Sequence, residues 1–195
     1  MTRRRRPKEV RAVALWPGAG SDAAHPLLVE IEAALAPLPV RRVDFPYRRE
    51  GRRAPDRANR LVASIVEEVA KLCEELGVDP TQVVLGGRSM GGRMCSMAVA
   101  DGLPAAGVVL LAYPLHPPGR PERLRTDHLG RLRVPSLWIS GDRDPFGRPD
   151  ELARAQALVP GPVTSMTLPG RHDLAGADAA IVAAVRRWLG RPAAR

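Results

Sequence analysis

Aromatic side chains are scarce in this chain of 195 residues: Phe, Tyr and Trp together make up 4%. The core is therefore expected to be built mostly from small and aliphatic side chains. Apolar residues as a class still reach 45%, which is not the composition of a disordered chain. Cysteine is nearly absent as well. Cys73 and Cys95 are the only two, each within an expected helix among apolar neighbours. Two cysteines exclude a disulfide framework and a cysteine-rich metal site, and leave reduced core thiols as the expectation. No apolar run is long enough to cross a bilayer. The basic start followed by residues 10–16 does not read as a signal peptide either, because that apolar run is short and is cut by Pro17-Gly18. A cytoplasmic protein with no membrane partner is expected. Internal repeats, a nucleotide-binding glycine pattern and a metal-ligand cluster are all missing, so no cofactor and no metal are expected.

Charge is what the chain has in excess. The net value is +9, almost all of it from arginine. Its one true run is Arg3-Arg4-Arg5-Arg6; elsewhere the charge is scattered, and no nucleic-acid-binding motif accompanies it. A nucleic-acid partner is therefore not expected. The organisation read from these features is a basic, flexible tail over residues 1–9, one domain over 10–190 and a short tail over 191–195.

Short apolar runs alternate with amphipathic ones. Strands are expected at 10–16, 40–45, 83–85, 106–112, 134–140 and 162–168. Helices are expected at 25–36, 57–76, 90–100, 149–158 and 177–189. The helix over 57–76 places Leu61, Ile65, Val69, Leu72 and Leu76 on one face, and Gly77 follows where a left-handed cap is wanted. Strands with little polar alternation must be covered on both sides, and helical crossovers do that. The expectation is a three-layer α/β/α sandwich on a mostly parallel six-stranded sheet. Two irregular segments stand out: an arginine-rich loop over 46–56, and a Pro- and Arg-rich stretch over 113–133, long enough that a role is expected of it.

The stretch Gly86-Gly87-Arg88-Ser89-Met90-Gly91-Gly92 follows the third strand directly. A serine is presented at a strand end only by a tight strand-to-helix turn, where the residues two before and two after it have no room for side chains. That is the spacing G-x-S-x-G, with Gly87 and Gly91 in those places. Serine is a poor nucleophile at neutral pH and needs a base, and the base needs an orienting acid. On a sheet of this kind their chain order is serine, acid, histidine. Asp142 and Asp144 follow the fifth strand, and His172 follows the sixth. His172 is the expected base, ahead of His116, which precedes the acid; His25 and His128 are less suitably placed. Asp144, before Pro145, is preferred to Asp142 as the acid. Asp142 would then pair locally with Arg143 or Arg148, and Asp173 would stiffen the histidine loop. Backbone N–H groups of Met90 and Ala19, with Gly18 as second choice, are expected to form an oxyanion hole.

These residues carry a family resemblance. PGAG at 17–20, FPY with GRRAPDR within 45–57, GGRSMGGRM at 86–94, YPLHPPGRPERLR from 113, GDRDPFG ending at 147 and LPGRHD at 168–173 together resemble small α/β-hydrolases. The likeness is to the dienelactone-hydrolase-like branch, nearest the testis-expressed-protein-like family. It implies a minimal, lidless α/β-hydrolase fold with Ser89, Asp144 and His172 as nucleophile, acid and base. Dienelactone hydrolases proper use cysteine as nucleophile, so their substrate is not implied. Many relatives carry histidine where this chain has Pro17. The expected activity is cleavage of an ester or thioester of a small acyl substrate; the alternative is a non-catalytic scaffold on the same fold. Arg52, Arg53, Arg57, Arg88 and Arg120 lie around the expected mouth. Ion pairs holding the long loops are expected of them, because those loops carry few apolar residues, with binding of an anionic substrate as the other reading.

Overall fold

The computed structural model describes residues 9–190. The arginine run and most of the basic tail, and the short tail over 191–195, lie outside the described residues. Six strands form one sheet: β1 (Ala12–Trp16), β2 (Val40–Arg42), β3 (Val83–Arg88), β4 (Gly107–Leu111), β5 (Ser136–Gly141) and β6 (Val163–Leu168). Their order is β2-β1-β3-β4-β5-β6, and every neighbouring pair is parallel. Six helices connect them: α1 (Pro26–Leu35), α2 (Pro46–Arg49), α3 (Ala58–Leu76), α4 (Met90–Ala100), α5 (Pro149–Gln156) and α6 (Asp178–Trp188).

Alternate side chains along each strand divide the core in two. Ala12, Ala14, Trp16, Val83, Leu85, Val108, Leu110 and Trp138 face one side, against Leu61, Ile65 and Val69 of α3, Met94 and Cys95 of α4, and Leu152 of α5. Val13, Leu15, Val84, Val109, Leu111, Leu137 and Ile139 face the other, against Leu27, Leu28 and Ile31 of α1 and Ile181, Val185 and Trp188 of α6. Burial on both faces explains why these strands read as continuous apolar runs. Both cysteines are free and buried, and burial raises their thiol pKa values above the ordinary range. Among the described residues no helix is long and apolar enough to cross a membrane.

The departures from expectation are local. β2 stops at Arg42 rather than at residue 45. It is an edge strand with half-exposed side chains, and the chain then turns into the single-turn helix α2, started by Pro46 and anchored by buried Phe45 and Tyr47. β3 runs on through Gly86, Gly87 and Arg88, because β1 and β4 supply a ladder on both sides: Trp16 pairs with Gly87, and Leu111 with Arg88. β5 begins at Ser136, past Pro135, which has no N–H to offer the ladder. Leu76 is 38% exposed, at the last turn of α3 beyond the edge of the core. Gly77 caps that helix in the left-handed conformation, at φ 60°, with its N–H on the Cys73 carbonyl.

The two long loops are held differently from expectation. Arg52 and Arg60 do bind Glu50 and Asp56 in an exposed network on the first loop. Residues 113–133, however, are pinned by apolar burial: Tyr113, Leu115, Leu129 and Leu132 are all inaccessible. The idea that these segments lack apolar anchors fails, because the anchors are spaced irregularly and leave no periodic signature.

Candidate active site

Strand order reverses between β1 and β3, since the chain moves from β1 outward to β2 and then returns to the other side of β1. The carboxyl ends of those two strands flank a crevice, the usual place for a ligand in an open α/β sheet. β3 ends there at Arg88, α4 begins at Met90, and Ser89 makes the turn between them at φ 51°, ψ −117°. A left-handed backbone at a residue with a side chain costs about 1–3 kcal/mol. It is held in place by the Ser89 N–H, which donates to the Leu111 carbonyl at 2.7 Å. The flanking glycines are a steric necessity. A Cβ on Gly87 would lie 2.0 Å from the Trp16 carbonyl oxygen, and one on Gly91 would lie 2.3 Å from that same atom. Both positions crowd the end of β1, and this explains the spacing around Ser89.

The loops after β5 and β6 bring Asp144 and His172 to this turn. His172 Nε2 is 2.8 Å from Ser89 Oγ, and His172 Nδ1 is 2.8 Å from Asp144 Oδ2 and 3.0 Å from Oδ1. An ionised carboxylate only accepts, so the Asp144 contact puts the ring proton on Nδ1 and leaves Nε2 as the acceptor for the serine hydroxyl. The Ser89 side chain makes no competing cap bond at the start of α4. Asp144 is 1% exposed, and its Oδ1 also accepts the Phe146 N–H at 2.8 Å. Such a chain can take a proton from Oγ onto Nε2 and stabilise the resulting imidazolium.

The remaining candidates fall into place around these three. Asp142 is exposed; it accepts the Gly170 N–H at 2.9 Å and pairs with Arg143, which staples the two loops together. Arg148 contacts Asp150 rather than Asp142. Asp173 accepts the Ala175 N–H at 3.4 Å within the histidine loop. Met90 is the first residue of α4, so its N–H has no intrahelical partner. Ala19 lies in the turn after β1, where the Tyr47 hydroxyl donates to its carbonyl at 2.8 Å. Gly18 sits against the site: a Cβ there would be 3.5 Å from Ser89 Cβ. The other histidines are elsewhere. His25 caps α1 by accepting the Leu27 N–H, His116 contacts Glu151 and the Pro117 carbonyl, and His128 packs on Ser96.

Two neighbours of His172 escape sequence reasoning. The Phe146 ring lies over the imidazole, with centroids 4.1 Å apart. Arg88 donates from Nη2 to the His172 carbonyl at 3.3 Å, clamping the loop that carries the ring. Burial draws the Arg88 guanidinium below its ordinary pKa, and the carboxylates of Asp173, Asp144 and Asp178 act against that. Arg53, Arg57 and Arg120 are exposed and form no ion pair among the described residues. No group of three or more His, Cys, Asp or Glu among the described residues is placed to hold a metal ion.

A family profile described as "Alpha/beta hydrolase domain" matches residues 9–180. The chain is an α/β hydrolase. The fold of this α/β hydrolase is shared by many solved structures. They include the type II thioesterase BorB of the borrelidin biosynthetic cluster, at 21% identity over 97% of both chains with a TM-score of 0.69. A dienelactone hydrolase from Anabaena variabilis matches at 18% identity over 95% of this chain and 88% of that one, TM-score 0.73. Est1E from Butyrivibrio proteoclasticus matches at 13% identity over 94% and 88%, TM-score 0.74. At these identities the likeness concerns architecture.

Proposed function

We propose that the protein is a serine hydrolase that cleaves a carboxylic ester or thioester of a small acyl substrate. The observation that carries this reading is the hydrogen-bonded chain Ser89–His172–Asp144, with the ring tautomer set by the carboxylate. Ser89 Oγ attacks the substrate carbonyl carbon while His172 Nε2 takes its proton. The tetrahedral oxyanion is held by the N–H groups of Met90 and Ala19. His172 returns the proton to the departing alkoxide or thiolate, and the acyl group stays on Ser89. Water then attacks the acyl-enzyme by the same route in reverse, releasing the acid and restoring the hydroxyl. The type II thioesterase among the similar structures agrees with this reaction class.

The test is intact-protein mass after treatment with a fluorophosphonate, on wild type and on Ser89→Ala. One adduct on wild type and none on the variant is the expected result. A folded wild-type protein that takes no adduct would overturn the reading and favour a non-catalytic scaffold on the same fold.

A further inference from the structure

Two guanidinium groups, those of Arg93 and Arg125, lie near enough to repel each other, and neither is paired with a carboxylate among the described residues. Arg93 lies one turn along α4, and its backbone N–H donates to the Ser89 carbonyl at 3.1 Å. Helical side chains lean toward the helix N-terminus, so the Arg93 side chain runs back toward the serine turn. It lies near the buried Tyr113 hydroxyl, which itself donates to the Arg125 carbonyl at 3.0 Å. Tyr113 stands two residues beyond Leu111, the residue whose carbonyl accepts the Ser89 N–H. Arg125 in turn donates from Nη1 to the Pro114 carbonyl at 3.3 Å.

Both guanidiniums are half-buried, and among the described residues neither forms an ion pair. The Arg93 Nε is buried with no acceptor. Burial lowers the Arg125 pKa, and the positive charge of Arg93 lowers it further. His128, the other titratable ring facing this cluster, adds no charge at neutral pH, because burial and Arg93 bring its pKa down to about 4. The carboxylates felt by His128 do not serve the arginines: Asp101 is bound to Arg131 at 2.7 Å, and Asp127 is exposed. The contrast with Arg52 and Arg60 is direct, since both of those have Glu50 and Asp56 to neutralise them. Two half-buried cations that repel each other, one of them with an orphaned donor, make an arrangement completed by an anion.

We propose that Arg93 and Arg125 form an anion subsite beside Ser89, so that the preferred ester or thioester carries a carboxylate or phosphate group on its acyl or leaving portion. This rests on Ser89 being the nucleophile, and it adds the class of substrate. Planar guanidiniums suit both anions, by paired N–H donors.

The test uses the Ser89→Ala protein, which binds without turnover, titrated calorimetrically with monomethyl glutarate, inorganic phosphate and neutral dimethyl glutarate. At least one anion is expected to bind about tenfold or more tightly than the neutral diester, and which one does so tells carboxylate from phosphate. Arg93→Gln and Arg125→Gln, each added to Ser89→Ala, should weaken that binding by about tenfold, with part of it restored in Arg125→Lys. Equal binding of anion and neutral diester, or an anion affinity unchanged in Arg125→Gln, would overturn the subsite. Arg125, on a surface segment, carries the test alone if Arg93→Gln does not fold. Fluorophosphonate labelling of wild type is read separately. A labelled protein that binds no anion loses the subsite and keeps the nucleophile. An unlabelled protein that binds the anion through both arginines keeps the subsite and loses the nucleophile.

Discussion

Among the described residues two serine–histidine contacts have the same length. Ser89 Oγ lies 2.8 Å from His172 Nε2, and Ser96 Oγ lies 2.8 Å from His128 Nε2. Distance does not separate them; the second partner of each group does. The Ser96 hydroxyl already donates to the Arg93 carbonyl at 2.8 Å, so its one proton is committed and His128 has to be the donor between them. His128 is buried, and burial first, with the charge of Arg93 second, holds the ring neutral against the weaker pull of Asp101 and Asp127. At the other contact the proton direction is reversed. Asp144 claims the Nδ1 proton, Nε2 accepts, and the Ser89 hydroxyl is free of any cap bond. Ser96 sits inside a regular helix and Ser89 on a strained turn at a strand end. One pair is a packing device, and the other has the geometry that the proposed proton transfer needs.

The sharpest way to separate the pairs is to delete each serine. Ser89→Ala and His172→Ala should lower turnover of a short ester by about 10⁴-fold or more, whereas Ser96→Ala should stay within about threefold of wild type by the same assay. A large loss in Ser96→Ala would dissolve the distinction. Next in size is the carboxylate that only one pair possesses. Asp144→Asn should reduce kcat by about 10²–10⁴-fold while leaving the circular dichroism spectrum intact, because an amide no longer fixes the ring proton on Nδ1. Arg88 offers a smaller effect. Arg88→Gln should lower kcat by about tenfold with KM little changed, since the clamp on the His172 carbonyl sets the ring position without touching substrate. Equal losses in both parameters would point to substrate binding instead.

His128 supplies the prediction with least effect on chemistry. Its folded pKa, about 4, is below the ordinary value of 6.5. The unfolded chain therefore binds more protons between those values. The stability tied to the neutral ring is fully present above about pH 6.5 and is lost as pH falls toward 4. Thermal unfolding of wild type should show a loss of about 3 kcal/mol across that window. His128→Asn should flatten this slope while still taking the fluorophosphonate. A slope unchanged in the variant would assign it to other groups.

Much of this arrangement is legible in the sequence, for physical reasons. Strands buried on both faces leave apolar runs, and α3 leaves a periodic face ended by Gly77. Ser89 is recognisable because a carbonyl at the end of β1 forbids side chains at two fixed positions. Asp144 and His172 follow from strand ends in chain order. What is hidden depends on closure between separate loops. Nothing local in Phe146 shows that its ring will lie on His172, and nothing local in Arg88 shows which carbonyl it will reach. The burial of Tyr113, Leu115, Leu129 and Leu132 is hidden for another reason: outside helices and strands no period marks an inward residue. The short reach of β2 and the exposure of Leu76 are edge effects, settled by where the sheet and its covering layer stop.

The position of β6 has a consequence for how the protein opens. Ser89 and His172 are 83 residues apart in the chain. The histidine hangs from the outermost strand, which is bonded only to β5. An outermost strand frays at lower free energy than the centre of a sheet. A molecule that has released this margin still holds its inner strands and most of its helices, yet Ser89 has lost its contact with His172. With Ser89 and His172 in the proposed roles, turnover should be surrendered on warming before the central sheet melts.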